Sequence, residues 1–403
     1  MAGYKLPHHK HMSMNELKSF LNPKDIYLEQ GDSKLLVGDY VYKYQTIGHK
    51  ERFNVPIISS VSGTVVDIKD GYIKIKNDLL EKTEKEIINR DVSKIKKEEF
   101  LDIIEKAGII GMGGAGFPTH MKYKTDKNIE LLIVNAVECE PYITADYSIM
   151  NEKCNELLEG INNIIRINKI NNAILAIKKT NVEVIKKFKE IIDKYPKIEL
   201  RIVRDIYPMG WERTLIKEVT KKEYDILPIE LGIVVNNIST IFAINNALKH
   251  DIPLVERIIT ITGENVKNPG NVMVKIGTSV NEILKFMGGI LDDSVLISGG
   301  PMMGVEINKT EYIKPQMNCI LVLPKPKEEN IINCLRCGKC VSACPANLAP
   351  VLIKECSNKE ELIKLQVNKC ISCGLCSYIC PSRIDLRNIV NEKKEVIKWK
   401  RHF

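Results

Sequence analysis

A chain of 403 residues with 44% hydrophobic and 27% charged residues has the composition of a soluble globular protein, and its length asks for about three or four domains instead of one core. No apolar run approaches the ~20 residues needed to span a bilayer, and the N-terminus from Met1 to His11 has no hydrophobic signal core. The formal net charge of +8 comes from scattered lysines, and with aromatics at only 6% the chain lacks the concentrated basic, stacking face that nucleic acid requires.

Residues 1–90 read as a small β barrel-sandwich-like domain. From Val55 to Ile75 apolar and polar residues alternate and the chain turns at Asp70-Gly71, a hairpin signal. The segment Ser62-Gly-Thr-Val-Val66 resembles the strands of lipoyl-type barrel-sandwich domains. A working lipoyl domain presents a modifiable lysine at the hairpin tip; here the tip is Asp70-Gly71, so the domain is expected to be structural. His8, His9 and His11 are joined by no Cys or Glu at ligand spacing, and histidines near a mobile terminus are expected to be solvated. The charged stretch Glu81 to Lys97 reads as a linker.

Residues 91–252 carry an α/β pattern. Phe100 to Gly108 reads as a helix ending at its glycine, and Gly111-Met-Gly113-Gly114-Ala-Gly116-Phe117-Pro118-Thr119 follows. By letter count this is G-x-G-x-x-G, but a helix precedes it and Pro118 stands where the helix body should be, so it is not a dinucleotide fingerprint of the strand–turn–helix kind. Its glycines still let the backbone approach a ligand, and successive N–H groups can cradle a phosphate; a plain flexible loop is the alternative. Strands are predicted at 130–135, 172–177, 199–204 and 231–235, and a helix from Val182 to about Tyr195. Strands alternating with helices imply a parallel sheet, whose ligands bind beyond the carboxyl ends of the strands. Glu138/Glu140, Tyr207/Glu212 and Asn236/Asn237 all fall there and predict a pocket, although Asn236 and Thr240 could instead cap the next helix.

Residues 253–325 read as two short strands round Pro269-Gly270 and a helix, a β-grasp of the soluble-ligand-binding (SLBB-like) type closed by Gly299-Gly-Pro-Met-Met-Gly304. Residues 326–388 contain Cys334, Cys337, Cys340, Cys344-Pro345 and then Cys370, Cys373, Cys376, Cys380-Pro381. Each half is the C-x2-C-x2-C-x3-C-P run of a two-cluster ferredoxin, in which the fourth cysteine ligates the other cluster. One 4Fe–4S cluster is therefore expected on Cys334, Cys337, Cys340 and Cys380, and a second on Cys370, Cys373, Cys376 and Cys344. Zinc explains two Cys-x2-Cys pairs but not a third cysteine at the same interval, and a disulfide framework suits a short secreted chain. Cluster ligation by reduced thiols argues for the cytoplasm, and Cys139, Cys154, Cys319 and Cys356 are expected to be buried free thiols. Residues 389–403 form a basic tail with aromatics at its end, either a helix for anionic lipid or a partner, or a frayed terminus.

The motifs Gly111 to Thr119, Asn135-Ala-Val-Glu-Cys-Glu-Pro141 and Val235-Asn236-Asn237 resemble the FMN- and NADH-binding motifs of the flavoprotein subunit of respiratory complex I. Glu138-Cys-Glu-Pro-Tyr-Ile-Thr-Ala-Asp146, with Tyr207-Pro-Met-Gly-Trp-Glu212 and two ferredoxin motifs downstream, is more similar to the RnfC component of the Rnf electron transport complex. That resemblance implies that Gly111, Gly113, Gly114 and Lys122 hold the FMN phosphate and ring edge, and that Asn135, Glu138, Tyr207, Gly210, Asn236, Asn237 and Thr240 line the flavin. Phe117, Glu140 and Glu212 would meet the nicotinamide nucleotide, with Glu138 and Glu140 as the catalytic carboxylates. Val137 stands where complex I carries an Asp. The resemblance further implies a peripheral protein on the cytoplasmic face of a membrane, part of an NADH-dependent oxidoreductase of the ion-translocating class whose electron partner is ferredoxin. A soluble reductase of related build, such as a cobalamin reductase, or a cluster scaffold without enzyme activity, remains open on these residues.

Overall fold

The computed structural model describes residues 3–84, 86–114, 116–326 and 330–398. Near the N-terminus the strands Asp25–Glu29, Tyr72–Asn77, Gly63–Lys69 and Tyr40–Val41 form an antiparallel sheet in that order, joined by the small hairpin Thr46–His49/Pro56–Ile58. The alternation in the sequence is the reason: Val65, Ile73 and Ile75 turn inward and are fully buried. The hairpin turn is made with Asp70 and Gly71 both at positive φ, 52° and 79°, the geometry that a two-residue turn favours.

Residues 3–20 do not belong to that sheet. Lys18–Phe20 pairs in parallel with Gly270–Lys275 at the edge of the β-grasp sheet, and Tyr4 exchanges backbone hydrogen bonds with Tyr207. The expectation of solvated N-terminal histidines is therefore corrected for His8 and His9, while His11 is exposed as expected. His8 Nε2 lies 2.7 Å from the buried Asp205 carboxylate, and the His9 ring stacks on Tyr142 at 4.5 Å. Asp205 also pairs with the buried Lys178, 3.0 Å away, and such a carboxylate, removed from water, gains from every donor it can reach. The charged linker is pinned as well, because Glu81 pairs with Lys43 and the buried Lys275.

The α/β domain is built on four parallel strands ordered Ile198–Val203, Asn172–Lys178, Leu131–Ala136 and Ile233–Asn237. Helices Lys97–Lys106, Cys154–Ile167 and Ile238–His250 share a core with Leu132, Val134, Leu175 and Ile177 on one face of the sheet. Helix Glu212–Thr220 covers Ile133, Ile174 and Val235 on the other. Both faces being covered, the strands read in sequence as apolar runs, except at the edge strand Ile198–Val203, which carries Glu199 and Arg201. The β-grasp follows as a six-stranded mixed sheet with Glu256–Thr262 and Cys319–Pro324 at its centre and Val280–Phe286 packed on it.

The cysteine-rich region is helical among its described residues, with short helices Lys339–Ala343, Pro350–Glu355, Lys359–Lys364 and Leu375–Tyr378 and the longer Leu386–Lys398. Its backbone repeats: Arg336, Gly338 and Asn347 have positive φ, and so do Ser372, Gly374 and Arg383, each 36 residues on. The helix Leu386–Lys398 takes up the start of the basic tail. It docks on the second cysteine motif, with Ser372 Oγ donating to Asn391 Oδ1 at 2.6 Å and Lys394 Nζ donating to the Cys370 carbonyl. Trp399 to Phe403, which carried the aromatic end of the tail, lie outside the described residues. Among the described residues no helix is long and apolar enough to cross a membrane.

Candidate functional site

The carboxyl ends of the four strands converge on one rim. Asn135 and Asn237 are register partners on adjacent strands, so both polar ends open together. The glycine loop sits against this rim. Met112 N–H donates to Thr240 Oγ1 at 3.0 Å, and Gly111 N–H donates to the Phe117 carbonyl. A Cβ on Gly113 would lie 3.0 Å from the Asn237 side chain, whereas one on Gly114 would meet nothing within 4 Å. The first glycine thus permits close approach, and the second faces open space. Ala115, between them and Gly116, lies outside the described residues.

Asn237 Oδ1 accepts from Ser239 N–H and so caps the helix Ile238–His250, while its Nδ2 donates to Asp146 at 2.7 Å. Asn236 does not cap; its Nδ2 reaches the buried Tyr123 hydroxyl. Asn135 Nδ2 donates to the Gly210 carbonyl at 2.8 Å, tying the Glu138 loop to the Tyr207 loop. Lys122 Nζ donates to the Val235 carbonyl at 2.7 Å, and burial lowers its pKa against the opposing pull of Glu212.

Two carboxylates, Glu138 and Asp146, crowd the rim. Glu138 is buried; its Oε1 accepts from Asp146 N–H, and Lys10 Nζ stands 3.5 Å from Oε2 while donating to the Glu138 carbonyl at 3.0 Å. Burial lowers the Lys10 pKa, and Glu138 opposes that shift. Asp146 is pushed up to about 6, by burial first and by the charge of Glu138 second. Ser239 Oγ and Asn237 Nδ2 each donate to its carboxylate at 2.7 Å and pull the other way. Arg257, buried behind both, is lowered to about 10 by burial.

Glu140 has a different role from its neighbour. Its oxygens accept from Met302 N–H at 3.1 Å and Met303 N–H at 2.9 Å, and burial raises its pKa to about 7. Arg387 holds the same loop from the other side, its guanidinium donating to the Met302 and Met303 carbonyls. The α/β domain, the β-grasp and the cysteine-rich domain therefore meet at two peptide units.

Tyr207 completes that junction. Its ring is 1% exposed, and its hydroxyl donates to the carbonyl of Cys373 at 2.7 Å. Leu6, Tyr207, Met302, Cys373 and Leu375 form one apolar cluster, with the half-buried Cys139 packed against it.

The cysteines sort by how they perturb one another. Burial is the main cause raising the thiols of Cys344, Cys373 and Cys376, but Cys344 is raised further by Cys370, Cys373 by Cys344 and Cys370, and Cys376 by all three. Cys340 is likewise raised by burial and then by Cys380. Cys344 thus lies with the three cysteines of the other motif, and Cys380 lies beside Cys340. Backbone N–H groups of Arg336 and Ser372 point at Cys334 and Cys370 sulfurs, each at 3.4 Å. Among the described residues no three His, Cys, Asp or Glu side chains converge on a point suited to a single metal ion. Cys154, Cys319 and Cys356 are buried free thiols, and Cys139 is partly buried with its thiol pushed up to about 11 by burial.

Of the residues singled out in the sequence, Gly111, Gly113, Gly114, Lys122, Asn135, Glu138, Gly210, Asn236, Asn237 and Thr240 gather along the strand ends. Glu140 and Tyr207 lie at the junction with the β-grasp and the cysteine-rich domain. Glu212 accepts from the Tyr224 hydroxyl at 2.8 Å, and Phe117 stands 37% exposed with its ring 5.4 Å from that of Phe53. Lys10, Asp146 and Arg257 were missed as site residues. Lys10 is 128 positions from Glu138, and no local pattern announces such a pairing.

The residues fit a flavin nucleotide at the rim. Asn236 Oδ1 and Thr119 Oγ1, which border the glycine loop, are buried and have no hydrogen-bond partner among the described residues. The open face of Gly114 leaves room above them. The cysteines fit iron–sulfur ligation in the grouping of Cys344 with Cys370, Cys373 and Cys376 and in the N–H···S contacts of both motifs.

Comparison with known proteins agrees with this division. Residues 1–91 match the RnfC barrel sandwich hybrid domain, 104–246 the Nuo51 FMN-binding domain, 258–306 the SLBB domain and 333–384 the 4Fe-4S dicluster domain. The chain is 36% identical over 342 residues to component C of the proton-translocating ferredoxin:NAD(+) oxidoreductase complex of Clostridium ljungdahlii, covering 80% of this chain and 75% of the relative. It is 34% identical to component C of the ion-translocating oxidoreductase complex of Vibrio cholerae and 32% to that of Haemophilus influenzae, over 83% and 79% of this chain. It spans about half the length of those two relatives, 46% and 52%. A solved NAD+-reducing NiFe hydrogenase shares the fold with a TM-score of 0.53 at 15% identity, over 76% of this chain and 61% of the hydrogenase chain.

Proposed function

This chain belongs to the RnfC family of ion-translocating oxidoreductase complexes, and on that premise we propose that it passes electrons between NADH, FMN and two 4Fe–4S clusters as a peripheral subunit on the cytoplasmic face of the membrane. The other subunits of the complex are its partners, ferredoxin is the electron partner of the assembly, and ion translocation is the work done with those electrons.

The backbone of Gly111, Gly113 and Gly114, with Lys122, is assigned to the flavin phosphate. Asn135, Glu138, Tyr207, Gly210, Asn236, Asn237 and Thr240 are assigned to the ring, and Phe117, Glu140 and Glu212 to the nicotinamide nucleotide. Bound flavin supplies the conversion between a two-electron hydride and single electrons; the protein supplies orientation and electrostatics. Glu138 is held in one position by Asp146 N–H and Lys10, so its charge stays fixed at the rim. Asp146, whose pKa burial raises, can take or give a proton at its carboxylate without leaving its partners Asn237 and Ser239.

The observation that carries this reading is the hydrogen bond from Tyr207 to the Cys373 carbonyl, which sets the strand-end pocket directly against one group of four cysteines. The test is an anaerobic absorbance titration of the chain, reconstituted with iron, sulfide and FMN, against NADH. Bleaching of flavin and cluster bands together is the expected result. Bands that respond only to dithionite would sink the proposal.

A further inference from the structure

The barrel-sandwich domain, the α/β domain and the β-grasp leave a cavity of about 50 Å³ where the three meet. Its apolar walls are Ile57 and Ile58 from the first, Ile110 from the second, Ile276 and Ile313 from the third, and Leu254 from the segment between the last two. The backbone fixes these walls, so they cannot simply collapse into the space. Leu254 N–H donates to the Ala107 carbonyl and Ile313 N–H to the Thr278 carbonyl, each at 2.9 Å. At about 10–15 Å³ for each water-sized group, the volume holds a chain of about four such groups.

One polar group of the lining is unsatisfied. Tyr312 is 6% exposed, and its hydroxyl is buried with no hydrogen-bond partner among the described residues. Packing against the Tyr72 ring, 4.7 Å away at 70°, fixes its direction. A hydroxyl in that state forfeits the bonds it makes in water, and a partner entering from outside restores them. Lys50 and Lys314 also line the cavity, Lys314 with its ammonium 5.3 Å from the Tyr312 ring centroid. Glu29, the carboxylate among the described lining residues, is already taken by Lys50 at 2.9 Å. A hydroxyl and two ammonium groups thus stand against one occupied acceptor, and the missing partner is an acceptor.

We propose that this cavity binds a short aliphatic carboxylic acid as its anion, about four or five carbons long, with the carboxylate accepting from Tyr312 and Lys314 and the hydrocarbon lying among the isoleucines. None of the described lining residues belongs to the strand-end rim, so the site stands or falls independently of the NADH reading.

The experiment titrates acetate, butyrate, pentanoate and butylamine by calorimetry, at constant ionic strength, into the full chain reconstituted with iron, sulfide and FMN. Each methylene from acetate to pentanoate is expected to tighten binding about fourfold, whereas butylamine brings a further donor and should not bind. Tyr312→Phe should weaken pentanoate about tenfold. Without ligand the same variant should melt no lower than wild type, because the hydroxyl it removes has no partner to lose. Lys314→Gln should weaken pentanoate more at low salt than at high salt. Three results overturn the site: no saturable binding of pentanoate, which leaves a cavity holding water alone; butylamine binding as tightly as butyrate; or pentanoate binding unchanged by Tyr312→Phe. A ligand-free Tyr312→Phe chain that melts lower than wild type overturns it as well, since the hydroxyl would then serve a structural bond.

Discussion

The two cysteine motifs have the same spacing and the same backbone, yet they occupy opposite environments. Positive φ recurs at Arg336 and Ser372, at Gly338 and Gly374, and at Asn347 and Arg383. Beyond that the halves diverge. A Cβ on Gly374 would lie 2.6 Å from the Met302 carbonyl, whereas one on Gly338 would meet nothing within 4 Å. Cys373 is buried and its carbonyl is bound by Tyr207; Cys337 is exposed, and its neighbour Leu335 is 62% exposed. Local sequence therefore dictates how each motif wraps its thiols, and the rest of the chain decides which motif faces the flavin module. The 370–381 motif is the inward one and the 334–345 motif the outward one.

Removing one thiol from each motif breaks the comparison most severely. Cys373→Ser and Cys337→Ser are each expected to lower bound iron from about eight to about four atoms per chain. Only Cys373→Ser should also abolish cluster bleaching by NADH, because the inward group is the one against the pocket. Iron analysis with anaerobic absorbance checks this, and equal retention of NADH-driven bleaching in both variants would show that the outward group is fed directly. Next in size is the glycine pair. Gly338→Ala should cost about 1 kcal/mol, the strain of a side chain in the left-handed region. Gly374→Ala bears that strain and a clash with the Met302 backbone, so about 2–4 kcal/mol is expected from denaturant midpoints.

Much of this architecture was legible in the sequence because it is written locally. The duplicated cysteine register, the alternation over 55–75, the Asp70-Gly71 turn and the apolar runs of the parallel sheet each depend on a few adjacent residues. The glycine loop was legible as a close-approach element, and Gly113 against Asn237 shows one such approach. What was hidden is long-range. Lys10 beneath Glu138, His8 on Asp205 and the parallel strand Lys18–Phe20 on Gly270–Lys275 join positions more than 120 residues apart, and no spacing rule marks them. The basic tail read as either a helix for lipid or a partner or a frayed terminus, because its charges dominate the count. Its packing on the inward motif is carried by Ser372, Lys394 and Val390, which look unremarkable in sequence.

The contact between the flavin module and the inward motif can then be loosened by single atoms. Tyr207→Phe deletes the hydroxyl and leaves the Cys373 carbonyl in an apolar cluster without its donor. A loss of about 1–3 kcal/mol is expected, with faster amide exchange at Gly374 and Leu375 but not at Gly338. Unchanged exchange in the inward motif would show that the apolar cluster alone holds the two modules together.

The smallest effect depends on pH and acts through the loop that covers Gly374. Glu140 holds Met302 and Met303 by their N–H groups, while burial lifts its pKa from 4.5 to about 7. A carboxyl whose folded pKa exceeds its unfolded value favours folding when protonated. Its contribution is complete below about pH 4.5 and is lost as pH rises through 7. Glu140→Gln keeps an oxygen for the N–H donors and removes the titration, so the variant should lose less stability than wild type between pH 5 and 8. Asp146 titrates in the same direction in both proteins, and the difference between them isolates Glu140. Parallel stability curves for the two would mean that the Met302–Met303 N–H groups already hold Glu140 ionised, and that the loop over the inward motif is clamped at every pH by Glu140 from below and Arg387 from above.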